Sequence, residues 1–450
     1  MRVLIVDLVH GGNILAQRYL SEGDEVTCCD VYHIASPEMK EDLRMSGARV
    51  LDSVPPERFD ITVMPTHCTR AFLEGADPGE IRSFSHEVGR FIDDRRFRIE
   101  VTGVKGKTSS CYLISKMLHD AGKRVLLHSS RGEGPWTDDG HRIERHVSIA
   151  PPYIMTMAAG DYDAVVCEVS LGGSGVADIA CITNLVEDYG IAKKTLKASD
   201  AKRDILCSKT NIVLAEERDF WSKYTRNLTP YGGRVKVISE PRLGEGLRVS
   251  VDYDGVTEVT LDPGYISIQY IQAMDLALEV CHVMGIPKES VIRSLETFRG
   301  VPGRGEIVRD GDRVTIRERN PGISHISIRR TLSCLKEMDA LDGAMILLDP
   351  ISRKVCDKMD RAEIEKVVSS YGVPMMITEG DGNRPDIPSD VRLLIEFVKE
   401  AYQRGTSSIP VRIRSSPPCT HSATWMWMLS WCTVRQDAVS WHPGCSRRRM

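Results

Sequence analysis

Residues 2–9 form a near-continuous apolar run that stops at His10-Gly11-Gly12-Asn13. A helical pattern follows through Leu20, and a second apolar run covers Glu25–Cys29. Strand, turn, helix and strand in this order, with strands apolar on both faces, predict a buried parallel sheet. Shorter units follow at Ala48–Leu51 and at Ile61–Met64, ahead of Pro65. A polar, charged stretch, Ile81–Arg96, closes this first unit. A second unit opens on the strand Phe97–Val101. It continues with a helix over 108–121 and strands over 124–128 and 164–169. Further strand candidates lie at 180–183, 211–215 and 235–238, and a long helix, Ile266–Met284, is stopped by Gly285 and Pro287. The segment 301–318 returns to strand. A third unit then reads as helix 321–338, strand Ala344–Leu348, helix 361–371, strand Pro374–Thr378 and helix 390–404. Asn320 is expected to cap the first of these helices and Pro321 to open it, where its missing N–H costs nothing. The expected organisation is an α/β chain with domains at 1–96, 97–300 and 301–405. No repeat of 20–50 residues is visible.

Composition narrows the function. The chain has 450 residues, 42% hydrophobic and 27% charged, with net charge −4. That balance suits a globular enzyme and disfavours a general nucleic-acid binder. No apolar run approaches the ~18 residues of a membrane span, and Met1-Arg2-Val3-Leu4-Ile5-Val6-Asp7 carries no cleavage pattern, so a cytoplasmic protein is expected. Ten cysteines before residue 414 sit mostly in apolar runs and form no CxxC pair, which reads as buried reduced thiols rather than a zinc or redox site. The last 37 residues stand apart: they hold four of the six Trp, five Arg, no Lys and one acid. This tail is +4 against a body of −8. Residues 406–450 lack helix or strand periodicity and are expected to be a poorly ordered appendage, of the kind a shifted-frame translation gives, with no catalytic role.

The strongest chemical signal is Val101-Thr102-Gly103-Val104-Lys105-Gly106-Lys107-Thr108-Ser109, entered by an apolar strand and left by a helix. In that setting the backbone N–H groups of 102–109 and the helix N-terminus surround a polyphosphate. Lys107 is then placed for the β/γ-phosphates and Thr108 for Mg²⁺. A strict P-loop has Gly where this chain has Val101.

The variant Thr-Gly-x-x-Gly-Lys-Thr resembles the ATP loop of the Mur ligase family, and four later segments occur in that family's order. Asp163–Ser170 resembles the strand whose Glu, here Glu168, binds Mg²⁺. Ile182-Thr183-Asn184-Leu185-Val186-Glu187-Asp188-Tyr189 resembles the motif in which Asn, Asp and His line the metal site. Ala201-Lys202-Arg203 resembles the segment with a carbamylated lysine, Val301–Glu306 the hinge containing Arg304, and Asn320-Pro321 the following His-Asn-Pro. The likeness spans roughly 97–385. It implies three domains: Rossmann-like and substrate-binding, central P-loop ATPase, and Rossmann-like C-terminal. It also implies ATP and Mg²⁺ as cofactors and activation of a carboxylate as an acyl phosphate. Nucleotide contacts would come from residues 102–109, Asn184 and Arg304, and catalytic roles from Lys107, Glu168 and Lys202. Three departures stand out: Tyr189 and Arg319 replace His residues, and Ile316 replaces an Asp that contacts nucleotide. They leave open whether one or two Mg²⁺ ions bind.

Gly11, Gly12 and Asp30 suggest a dinucleotide site, but Ile14 and Leu15 break the GxGxxG pattern. The opening loop at His10, the Met64–Cys68 loop and the Leu127–Gly134 loop resemble one branch of the family. In that branch a carbon nucleophile attacks the acyl phosphate and closes a ring on a polycarboxylate nickel tetrapyrrole. His10, His67, Arg70, His128 and Arg131 lie on segments able to supply cations to such a substrate. Removing a C–H proton calls for a general base, with His67, His128, Tyr189 and His325 as candidates. Two alternatives stand beside ring closure: an amide-forming Mur-like ligase, and a nucleotide-binding regulator that ligates nothing. A small-molecule substrate is expected, with no nucleic acid and no membrane span; the sequence does not set the oligomeric state.

Overall fold

The computed structural model describes residues 1–207, 209–320, 322–349, 360–378 and 386–399. Residues 1–405 group as one compact unit. The expected tail at 406–450 and Pro321 lie outside the described residues.

The first strand, Arg2–Val6, is buried from Val3 to Val6 because both its faces are covered. Val3 and Ile5 enter one apolar cluster while Leu4 and Val6 enter another, as a period of two requires. All five strands of this sheet are parallel, in the order Arg49–Leu51, Glu25–Cys29, Arg2–Val6, Ile61–Met64, Glu80–Ser83. The order reverses between Arg2–Val6 and Ile61–Met64, which opens a crevice at their carboxyl ends.

The central sheet has eight strands with Phe97–Thr102 inside it, between Ile179–Ile182 and Ala164–Glu168. Helices Lys107–Asp120 and Ile271–Val283 share its largest apolar cluster. A separate three-stranded antiparallel sheet contains Val235–Val237. The third sheet runs Arg304–Asp310, Arg313–Arg319, Leu393–Val398, Ala344–Asp349, Met375–Ile377, antiparallel in the first pair and parallel thereafter. No helix among the described residues is long and apolar enough to cross a membrane.

Four local expectations need correction. Where a helix is expected over 390–404, the described residues form a strand, Leu393–Val398, held between two parallel neighbours and buried from Leu393 to Phe397; 400–404 lie outside the described residues. A short apolar run without alternation does not separate a central strand from a buried helix. The stretch Ile81–Arg96 contains an edge strand and the helix Phe84–Phe91, capped by the Ser83 hydroxyl and buried through Phe84, Val88 and Phe91. The helix expected from 321 begins at His325, and the Asn320 side chain accepts from the Gly322 N–H in a turn instead of capping it. The helix expected from Ile266 opens with a 3₁₀ turn, Ser267–Tyr270.

Candidate active site

The loop Gly103–Gly106 joins the central strand to the helix that begins at Lys107. Gly103 has φ 135°, and a Cβ there would meet Thr183 Oγ1 at 1.9 Å, so only glycine fits this close approach. Thr183 and Asn184 brace the loop from behind. Thr183 Oγ1 donates to Lys105 O at 2.6 Å, and Val104 N donates to Asn184 O at 2.9 Å. The Asn184 side chain accepts from Lys105 N and donates to Lys105 O and to Gln272 Oε1. Asn184 thus shapes the cradle through its neighbours.

Inside the cradle, Lys107 Nζ donates to Gly103 O (3.1 Å) and Val104 O (3.4 Å). Burial pushes its pKa down, nearby Glu168 opposes this, and Arg304 adds to the lowering. A desolvated cation with no ion pair among the described residues fits a polyphosphate partner. Glu168 ends the strand Ala164–Glu168, next to the P-loop strand, and is 3% exposed. Its Oε2 accepts from Thr108 Oγ1 and from Ser130 N, both at 2.9 Å. The Thr108 and Ser130 hydroxyls lie 3.2 Å apart. A hydroxyl and a carboxylate at this spacing are the hard oxygen donors that Mg²⁺ takes.

Arg304 begins the first strand of the third sheet. Its Nε is buried with no hydrogen-bond partner among the described residues, and its charge is felt at both Lys105 and Lys107. Tyr270 clamps this hinge: its hydroxyl donates to Arg304 O at 2.7 Å, accepts from Val301 N, and meets the Ser109 side chain. Arg131 donates to Pro302 O at 2.7 Å, so it serves the hinge in this conformation. Lys105 reaches across to the third sheet's side, donating to Gly322 O (3.1 Å) and Ser327 Oγ (2.9 Å). Burial first, then the Lys107 charge, lower its pKa to about 8.

Lys202 closes the helix Ala198–Lys202 and is fully buried, with Nζ donating to Ser170 O at 3.0 Å. Burial and then the Lys107 charge hold its pKa well below the usual lysine range, against an opposing pull from Asp188. Asp188 accepts from both the N–H and the hydroxyl of Ser199 at 2.8 Å. Tyr189 is 40% exposed. Ile316 is fully buried in the third apolar cluster, as suits an aliphatic residue.

A second group forms in the first sheet's crevice. Asp7, directly after the first strand, is 1% exposed and has φ 75°, rare for a residue with a Cβ. Its Oδ1 accepts from Val9 N and His10 N, and its Oδ2 meets His10 Nδ1 at 2.5 Å. His67 Nε2 lies 3.5 Å from the same oxygen. Burial raises the Asp7 pKa, but the contacts with His10 and His67 outweigh it and hold the carboxyl well below the ordinary range. Donor atoms of Asp7, His67 and Cys68 lie within 4.8 Å of one another. The sequence points to His10 and His67 but not to Asp7, whose only signal is an acid at a strand's carboxyl end before a Gly-Gly turn.

Not every expected substrate residue joins this group. Arg70 is exposed at the start of the turn Arg70–Leu73. His128 is not on a loop: Val125–Ser129 and Gly132–Thr137 form a tight hairpin, and His128 is buried in it against Glu133 at 3.1 Å. His325 is the first residue of its helix.

No protein-family model matches the chain. Among solved structures it is similar to a MurF ligase from Thermotoga maritima in complex with ADP: TM-score 0.51, 11% identity, covering 83% of this chain and 91% of that one. It is also similar to MurF from Acinetobacter baumannii: TM-score 0.52, 12% identity, covering 88% and 84%. The fold is the three-domain α/β fold of the Mur ligases. In sequence the chain is similar to coenzyme F(430) synthetase of Methanosarcina acetivorans, 27% identical with 82% of this chain and 88% of that protein covered. The same enzyme of Methanocaldococcus jannaschii is 23% identical, with 82% and 88% covered. A UDP-N-acetylmuramoylalanine–D-glutamate ligase from Roseobacter denitrificans is 26% identical over 52% of this chain. The chain is an ATP-dependent ligase related to the Mur ligases, with coenzyme F(430) synthetases among its relatives.

Proposed function

We propose that this ligase closes a carbocycle on an open-ring nickel tetrapyrrole acid, as a coenzyme F(430) synthetase. The observation that carries the reading is the coverage pattern. Relatives of that name match 82% of the chain, whereas the amide-forming D-glutamate ligase matches 52%. A carboxylate is a poor electrophile until one oxygen becomes a leaving group, and phosphoryl transfer from ATP supplies this. Lys107 and Arg304 neutralise charge on the transferred phosphoryl group, while Gly103–Gly106 and the helix N-terminus fix its position. Thr108 and Glu168 would hold Mg²⁺, which when bound supplies further charge neutralisation. Lys202, buried and favouring the neutral amine, is suited to react with CO₂; the resulting carbamate would carry negative charge beside Lys107. A carbon of the same substrate then attacks the acyl phosphate, giving a cyclic ketone, ADP and phosphate.

The D-glutamate ligase match supports a second reading, amide formation with an added amine. ADP release separates the readings. Turnover with the nickel tetrapyrrole acid alone supports ring closure. Turnover that needs an added amine supports amide formation. Nucleotide binding with no substrate-dependent ADP release would mean a regulator.

A further inference from the structure

Ring closure needs a base for the C–H proton, and Lys107, Arg304 and Lys202 are committed to phosphate and carbamate roles in the reading above. Of the histidines considered, His128 is buried against Glu133, whose other oxygen pairs with Arg145. The crevice of the first sheet offers a different arrangement. Asp7 Oδ2 meets His10 Nδ1 at 2.5 Å, and Asp7 Oδ1 is fixed by the Val9 and His10 N–H groups. A carboxylate at Nδ1 selects the tautomer that carries its proton there, which leaves Nε2 as the basic nitrogen. The His10 side chain is 31% exposed, so it is open to the crevice while Asp7 is sealed beneath it. His67 stands edge-on to His10 at 4.7 Å, and Tyr32 edge-on at 6.4 Å.

The backbone is built around this contact. Asp7 takes a positive φ of 75°, a strained conformation for a residue with a Cβ that is kept only where the surroundings enforce it. Gly11, at φ 104°, packs so closely on the segment Pro151–Thr156 that a Cβ would come 2.7 Å from Pro152. The Tyr32 side of this group reaches the hairpin of Gly190–Ile191 and Leu196–Lys197. Tyr32 packs on Phe72 at 5.4 Å, and Lys193 Nζ lies 6.0 Å from the Phe72 ring. Lys193 belongs to the hairpin between Asp188 and Lys202.

We infer that His10 is the general base of the ring closure and that Asp7 is its positioning residue, an assignment resting on the ring-closing reading above. His10 Nε2 takes the proton from the attacking carbon. The C–H electron pair forms the new C–C bond at the acyl carbon, the bond between the acyl carbon and the phosphate oxygen breaks, and phosphate leaves with that oxygen. Asp7 stabilises the imidazolium, which then returns its proton to solvent.

The test separates the two half-reactions in the full chain with the nickel tetrapyrrole acid, MgATP and hydroxylamine as a trap for acyl phosphate. His10→Gln should form hydroxamate and release ADP at rates near the unaltered protein, with unchanged KM for ATP, while ketone formation falls by about 10²–10⁴-fold, the usual reach of a general base. Asp7→Asn should show the same split, with a smaller loss. Ketone formation by His10→Gln within a few-fold of the unaltered protein overturns the assignment. Equal loss of hydroxamate and ketone would also overturn it, because that marks a structural or binding role. One equivalent of tightly bound divalent metal, lost in His67→Ala, would make the group a metal site and overturn it too. If the unaltered protein itself makes no ketone, the ring-closing reading fails and this assignment falls with it.

Discussion

The Thr108 hydroxyl donates a 2.9 Å hydrogen bond to Glu168, joining the first turn of the helix Lys107–Asp120 to the end of the strand Ala164–Glu168. That bond pre-places two oxygen donors, and it predicts how the site responds to metal. Glu168→Gln keeps the size of the side chain and an oxygen for the Thr108 and Ser130 donors, so the fold should persist. ATP turnover should fall by about 10²–10³-fold, the typical loss when one charge-stabilising group is removed. ADP release measured across a Mg²⁺ titration checks this; unchanged rate and Mg²⁺ dependence would remove Glu168 from the site.

The Lys107 ammonium, its pKa lowered by desolvation, donates to the backbone carbonyls of Gly103 and Val104. Lys107→Ala should abolish ATP turnover and leave the Tm equal or higher, because an unpaired buried charge destabilises the fold. Retained turnover would sink the phosphate-loop assignment.

Carbamate formation needs a neutral amine, and burial of Lys202 favours that form. Activity should drop when CO₂ and bicarbonate are removed and return when they are restored. A ¹³C-bicarbonate NMR signal in the carbamate region should vanish in Lys202→Ala. Full activity without CO₂ would leave Lys202 a buried amine.

Lys105 gives a pH signature. Its folded-state pKa is lowered to about 8, below the ordinary lysine value, so the unfolded chain binds more protons between these values. Stability then rises with pH across that window. Relative to Lys105→Met, the unaltered protein should gain stability from about pH 8 upward and hold a constant offset below it. Urea unfolding at several pH values reads this; a flat difference would contradict the burial of the ammonium.

Local signals in the chain carry much of this molecule. The glycine-rich loop between Phe97–Thr102 and the helix from Lys107 is legible because strand, glycines, lysine and helix are contiguous. The first strand is legible because both its faces are apolar. What escaped depends on distant neighbours. Leu393–Val398 is a strand only because Arg313–Arg319 and Ala344–Asp349 flank it, and its Glu396 is paired with Arg319 from another strand. Phe84, Val88 and Phe91 follow helical spacing, but charged neighbours masked it. The hydrogen bonds of the Asn184 side chain to Lys105 and to Gln272, 88 positions away, have no signal in the sequence. Asp7 meets His67 across 60 positions of chain, a meeting no local pattern encodes.

Isotope transfer during ring closure tests the central claim most directly. The open-ring nickel tetrapyrrole acid, labelled with ¹⁸O in the reacting carboxylate, is incubated with MgATP and no added amine, and the products are weighed. Acyl-phosphate activation followed by carbon attack predicts a cyclic ketone, one ADP and one phosphate per ring, with one ¹⁸O in the phosphate and one in the ketone. Intact precursor, together with ADP release that appears only when an amine is added, would contradict it.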